Sequence, residues 1–241
     1  MIRMEHYTKR YKKETACSNI TFTVPDGSTT VLLGPNGAGK TTVMKGICGF
    51  LQFEGNILIN GEQNNTPASR RAIGYMPEIP VFYPNLTVSE HIEFTARVYR
   101  LKDYRRRAET LAERLELGPH MRKLGCELSK GMAQKLSICL GFMPSPSVVL
   151  LDEPFIGLDP YAIKELKSII SEERGKGASI MISTHIIDSV DTLWDQTVIL
   201  EQGRQEACVS RAEMEVSGKS LEELFFSVTD GNRRKTEKGR D

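Results

Sequence analysis

The most chemically pointed stretch of the chain is Gly34-Pro35-Asn36-Gly37-Ala38-Gly39-Lys40-Thr41, with Thr42 behind it, entered directly from the apolar run Thr30–Leu33. It has the form G-x-x-x-x-G-K-T. Its glycines let the backbone fold closely enough for successive N–H groups to point inward at phosphate oxygens. A helix opening near Lys40 adds the positive end of its dipole. Lys40 is placed to meet β- and γ-phosphates, and the Thr41 hydroxyl to ligate Mg²⁺. Taken alone, the motif specifies nucleotide phosphates and nothing finer.

A second reactive group ends the apolar run Val148–Leu151, where Asp152 and Glu153 stand side by side. Beside a phosphate cradle, Asp152 can hold the Mg²⁺ shell. Glu153, expected on the opposite side by strand alternation, can polarise an attacking water. By itself the same pattern would also suit an acidic strand end meeting solvent. Further along, Ser129 and Gly131 precede the helical pattern Met132–Leu140. A serine at a helix start beside a glycine offers a hydroxyl and free N–H groups to an anion, although it also serves as an ordinary N-cap.

These groups need a frame, and the chain supplies one. Short apolar runs at Thr30–Leu33, Asn56–Ile59, Val148–Asp152, Ser179–Ser183 and Thr197–Glu201 alternate with helical patterns, which predicts an α/β domain with a largely parallel sheet. Between about 84 and 142 the pattern changes to a helical insertion. Thr87 and Glu90 form a capping box, followed at helical spacing by Val88, Ile92, Thr95 and Tyr99. Tyr104, Ala108, Leu111 and Leu115 predict a second helix, stopped at Gly118-Pro119. No internal repeat is present. Residues 1–228 are read as one domain, and the charged stretch 229–241 as a disordered tail.

Composition narrows the partners. With 241 residues, 39% hydrophobic and 26% charged, the chain has the make-up of a globular protein with a sizeable core. A formal net charge of +1 gives no reason to expect nucleic acid. The five cysteines are unpaired in number and lack C-x-x-C spacing, which argues against a disulfide framework or zinc site and for a reducing compartment. The polar, basic N-terminus does not read as a secretory signal. No apolar run approaches the roughly 18 residues a membrane span requires, so any membrane role is expected to come through another polypeptide.

Leu128-Ser129-Lys130-Gly131-Met132 resembles the LSGGQ signature of the ABC ATPases. Other marks of that family follow in order. Tyr11 stands where the family places an aromatic that stacks on adenine. Gly74-Tyr75-Met76-Pro77-Glu78 resembles its Q-loop, Gly157-Leu158-Asp159 its D-loop, and Ser183-Thr184-His185 its switch-histidine motif. The resemblance implies a P-loop cassette with a mainly parallel core, an N-terminal antiparallel β part and the helical insertion. It implies ATP and Mg²⁺ as cofactors, with Thr41, Asp152 and Glu78 near the metal and Lys40, Glu153 and His185 as catalytic groups. Ser129, Lys130, Gly131 and Met132 would meet nucleotide held by a second cassette, in a homodimer or heterodimer. The partner is then a membrane permease on a separate chain, with the cassette peripheral on the cytoplasmic face of the cell membrane. Glu78 departs from the family's glutamine, Lys130 and Met132 from its signature, and Phe155-Ile156 from the small polar pair before the D-loop. The Y-x-P-E and S-K-G-M forms look like the drug-, antibiotic- and multisubunit-export branch. Two other readings are a soluble ABC ATPase acting on ribosomes or DNA, and a non-hydrolysing cassette. One cassette without a long insertion argues against the first, and retention of Glu153 and His185 against the second.

Overall fold

The computed structural model describes residues 1–12 and 14–238. It opens with an antiparallel pair, β1 (Ile2–Tyr11) and β2 (Glu14–Val24), and then β3 (Thr29–Leu33) runs into α1 (Lys40–Ile47). β4 (Glu54–Ile59), β5 (Glu62–Gln63), α2 (Pro67–Ala72) and β6 (Ile73–Met76) follow. The insertion is α3 (Val88–Val98), α4 (Arg105–Arg114) and α5 (Lys130–Phe142). The chain then returns to β7 (Val148–Asp152), α6 (Pro160–Gly175), β8 (Ser179–Thr184), β9 (Gln196–Glu201) and β10 (Arg204–Ser210), and ends in α7 (Arg211–Ser217) and α8 (Leu221–Lys238).

Two sheets result. One is antiparallel, ordered β2-β1-β4-β5, and the other is ordered β10-β9-β3-β8-β7-β6. In the second, all neighbours run parallel except the β9–β10 hairpin. All five strands expected from apolar runs are present, but Asn56–Ile59 lies in the antiparallel sheet. Its β4 partner is β1, whose mixed polar and apolar residues hide the strand from a reading by apolar runs.

Alternation along the central strands divides the core. Leu32, Val148, Leu150, Met181 and Val198 face the side packed with α1 and the antiparallel sheet. Val31, Leu33, Val149, Leu151, Ile180 and Ile182 face the insertion and α6. The capping box of α3 forms as expected, with Thr87 accepting from the Glu90 N–H and Glu90 reaching back to Thr87. Burial of Val88, Ile92, Ala108 and Leu111 against Leu136 and Phe142 joins the insertion to this second face. Within the stretch 229–241, α8 runs to Lys238, and residues 239–241 lie outside the described residues. A helix already nucleated on buried Leu221 and the Ser220 cap of the Glu223 N–H propagates at little further cost into polar sequence.

Candidate functional site

The site is assembled where β3, β7 and β8 end together. β3 delivers the loop 34–39 to the N-terminus of α1, and two features of the sequence make this path possible. A Cβ on Gly34 would lie 2.4 Å from the Leu200 carbonyl oxygen of β9. Gly39 has φ +100, and a Cβ there would meet both Ala16 O and Cys17 Sγ at 2.9 Å. Gly39 is also the N-cap of α1 and provides no side-chain cap, unlike Thr87, Ser129 and Asp159 at their helices. The first turn of α1 therefore presents its N–H groups to the loop's interior, an arrangement suited to an anion.

A cavity of about 660 Å³ lies over this helix end, lined by Asn36, Gly37, Ala38, Gly39, Lys40, Thr41 and Thr42, with Glu78 and Glu153 on one wall. Its other wall is Glu14, Thr15 and Ala16 of β2 and the Gln202-Gly203 turn between β9 and β10. Sequence reasoning missed this wall. A Q-G turn between two strands signals a hairpin, but nothing local says the hairpin abuts the glycine loop. Gly203 does so directly, donating to Ala38 O at 3.2 Å and accepting from Ser18 N at 2.8 Å. Tyr11 stands at the tip of the β1–β2 hairpin whose far strand forms this wall. It is 45% exposed, with Lys9 Nζ 4.7 Å from its ring centroid.

Lys40 is 6% exposed and donates to Gly34 O at 2.8 Å and Pro35 O at 3.3 Å. Its Nζ is also 3.4 Å from Glu153 Oε1. His185 Nδ1 donates to the same Glu153 oxygen at 2.9 Å. Alternation puts Asp152 on the α1 side of β7, with Val148 and Leu150. Its Oδ1 accepts from the Ser183 hydroxyl of β8 in a short contact. The expectation that Glu153 points to the opposite side does not hold. The strand ends at Asp152, and Glu153 has φ 49, a left-handed turn that brings its carboxylate onto Lys40. Its N–H is anchored to Ser183 O at 3.0 Å, which fixes this uncommon conformation.

Among the described residues, two buried carboxylate oxygens, Asp152 Oδ2 and Glu153 Oε2, have no hydrogen-bond partner. Buried anionic oxygens are costly unless something positive or a donor meets them. Asp152 and Thr41 carry the hard oxygen donors that Mg²⁺ prefers, so the residues present fit that ion. Among the described residues no three His, Cys, Asp or Glu side chains converge as a metal cage. Burial, and then the charge of Asp152, pushes the nearby Tyr75 hydroxyl up from its ordinary range.

The signature residues lie apart from this cavity. None of Ser129, Lys130, Gly131 and Met132 lines it. Ser129 caps α5 by accepting from the Met132 N–H at 3.3 Å, which leaves its own O–H free to donate. Asp159 caps α6, accepting from Ala162 N at 2.9 Å, and pairs with Lys135.

The family model for ABC transporters matches residues 17–156. The chain belongs to the ABC transporter family. The ATP-binding protein EcsA of Bacillus subtilis is 31% identical over 95% of this chain and 96% of its own length. The lantibiotic transport ATP-binding protein SrtF of Streptococcus pyogenes is 32% identical, covering 93% and 96%. A solved ATP-binding subunit of an ABC transporter superposes with a TM-score of 0.90 at 35% identity, over 95% of this chain and 99% of that one. ABC ATP-binding cassettes are ATPases, so ATP hydrolysis is the activity of this family member. Among the described residues, no helix of the cassette is long and apolar enough to cross a membrane.

Proposed function

We propose that this cassette hydrolyses MgATP to drive a membrane permease carried on a separate chain, in the direction of export. The observation that carries the reading is the buried pair Lys40–Glu153, with the exposed His185 bonded to the same carboxylate, beside two unpartnered carboxylate oxygens. Backbone N–H groups of residues 36–42 and the Lys40 ammonium would hold the triphosphate, with Tyr11 against the adenine. Thr41, Asp152 and Glu78 would hold the metal, which when bound offsets charge on the phosphates. Glu153 Oε2 is the group left free to orient and deprotonate the attacking water. His185, bonded to Oε1, keeps that carboxylate aimed. Ser129 and Gly131, displaced from their own cavity, would cap the γ-phosphate held by a second cassette, with Lys130, Met132 and Asp159 at that contact. The second cassette is either an identical chain or a related one.

The permease contact is assigned to the surface from Glu78 to Arg100. Ile79, Val81, Tyr83, Phe94 and Val98 are exposed apolar residues in this stretch, and the Tyr83 and Phe94 rings meet edge-to-face. Export follows from the branch that the Y-x-P-E and S-K-G-M motifs resemble, and SrtF, named for lantibiotic transport, supports it. The cassette then works on the cytoplasmic face of the cell membrane. The test is MgATP turnover by the purified chain with and without its co-purifying permease. Turnover by wild type and its loss in Lys40→Ala are expected. Equal turnover by the two proteins would overturn the hydrolytic half of the reading, and a membrane protein retained as well by Val81→Asp as by wild type would overturn the contact.

A further inference from the structure

The loop of residues 79–86, between β6 and α3, has neither helix nor strand and carries the exposed Ile79, Val81 and Tyr83. Its far end is tied to the segment 121–127, where Pro84 O and Leu86 O accept from Cys126 N at 3.2 Å and Gly125 N at 2.8 Å. Among the described residues, only two of the loop's own N–H groups donate. Leu86 N–H goes to Tyr83 O at 3.2 Å, inside the loop. Tyr83 N–H goes to Nε2 of His91 in α3 at 3.0 Å. His91 is 3% exposed, with the Phe82 and Tyr83 rings 5.2 and 6.2 Å from its own, centroid to centroid. A Cβ on Gly125 would lie 3.4 Å from His91 Cε1 and 2.4 Å from Tyr83 O, so a third side of the ring is closed as well.

The bonds fix the state of this ring. Thr87 O, 2.8 Å from Nδ1, can only accept, so Nδ1 carries a proton. The Tyr83 N–H can only donate, so Nε2 is bare. A neutral ring satisfies both partners. An imidazolium cannot, because its Nε2–H would face the Tyr83 N–H donor to donor and leave a buried charge without an acceptor there. We propose that neutral His91 is the latch that holds the permease-facing loop 79–86 in place, and that proton uptake by this ring opens the loop and weakens the hold on the permease. The role given to the permease rests on the contact proposed above. The titratable groups on the elements packed about the ring are Glu90 of α3, the Tyr83 hydroxyl, and Arg122, Lys123, Cys126 and Glu127 of the segment 121–127. The Glu90 carboxylate is engaged by the Thr87 N–H and hydroxyl, each at 2.7 Å, and Glu127 by the Leu124 N–H at 2.8 Å. Neither replaces the acceptor that Tyr83 loses. Because the closed loop requires the unprotonated ring, closure is favoured at higher pH and lost as pH falls.

Residue-resolved amide exchange on the full chain tests the latch at pH 7.5 and pH 5.5, a span within which histidine charges. Protection is taken relative to an unstructured peptide at the same pH. In wild type, protection of the Tyr83 amide should fall about tenfold, within the limit of tenfold per pH unit that one proton allows. Amides of residues 148–152 should keep theirs. His91→Gln sets an uncharged acceptor near the Nε2 position and should keep Tyr83 protected at both pH values. His91→Asn keeps only the donor to Thr87 O and should lose that protection at both. Side-chain ¹⁵N shifts of wild type at pH 7.5 should place the proton on Nδ1. Retention of the co-purifying permease should fall about threefold from pH 7.5 to pH 5.5 with wild type and stay level with His91→Gln. MgATP turnover by the isolated His91→Gln chain should remain within about twofold of wild type. Tyr83 protection that ignores pH in wild type, or that falls equally in His91→Gln, overturns the latch. So does equal loss in His91→Gln and His91→Asn, the result of a ring that only packs. If the loop opens as expected while permease retention is level in wild type, the contact proposed above is what fails, and the latch's role in it fails too.

Discussion

Glu153→Gln gives the sharpest test of the site because it should change binding and turnover in opposite directions. Lys40 and Glu153 approach to 3.4 Å with side chains only 7% and 6% exposed. At that separation and an effective dielectric of about 20, their attraction is about 5 kcal/mol. Phosphate must draw Lys40 away from this partner, so part of the attraction opposes nucleotide binding in the wild type. Lys40 is also held by Gly34 O at 2.8 Å and Pro35 O at 3.3 Å, and those bonds remain in the variant. The share recovered on neutralising Glu153 is therefore nearer the low end for close charge pairs, about 1.5 kcal/mol. That corresponds to roughly tenfold tighter MgATP. Turnover should fall by about 10²–10⁴, since an amide cannot take the proton from water. Equilibrium binding of a fluorescent ATP analogue, read beside single-turnover hydrolysis, measures both. Binding as weak as in Lys40→Ala, or turnover within twofold of wild type, would refute the assignment of Glu153.

Other consequences are as direct. Gly39→Ala forces an L-residue to φ +100 and drives its Cβ to 2.9 Å from Ala16 O and Cys17 Sγ, so MgATP binding should be lost together with several degrees of Tm. Gly131→Asp sets a carboxylate where the second cassette's phosphate should dock. In light scattering it should abolish the ATP-dependent dimer of Glu153→Gln while leaving monomer affinity within about twofold. Bonds from Lys135, then from the Ala162 N–H, hold the Asp159 carboxyl below its ordinary 3.8. Because that value is depressed in the folded state, its contribution to stability is present above the unfolded value and is lost as pH falls through the folded one. Asp159→Asn should therefore narrow the gap in urea midpoint between pH 7 and pH 3, modestly, as the side chain is 47% exposed.

The phosphate loop was legible in the sequence because its function depends on backbone path, and backbone path there depends on glycine at fixed spacing. The same holds for Ser129 as a cap and for the Thr87–Glu90 box, where the interaction spans three residues and the sequence contains both partners. The strand ending in Asp152 was legible because a short buried apolar run is a local signal. The next residue shows where such signals stop. Glu153 lies one residue beyond β7, and the bond of its N–H to Ser183 of β8 turns it back onto Lys40. That partner is on another strand, so no local pattern could anticipate the turn. The cavity's second wall was equally hidden, since Ala16 and Gly203 meet the loop only because β2 and the β9–β10 hairpin pack across it. The pair Lys135–Asp159 likewise needs α5 and α6 docked on one face of the sheet. Sequence alone determined which residue types stand in the glycine loop, at the end of β7 and at the start of α5, and the local backbone wherever the interacting partners are close in sequence. Tertiary structure decided which of those groups touch, because contact between distant segments is set by the packing of whole elements and not by any spacing along the chain.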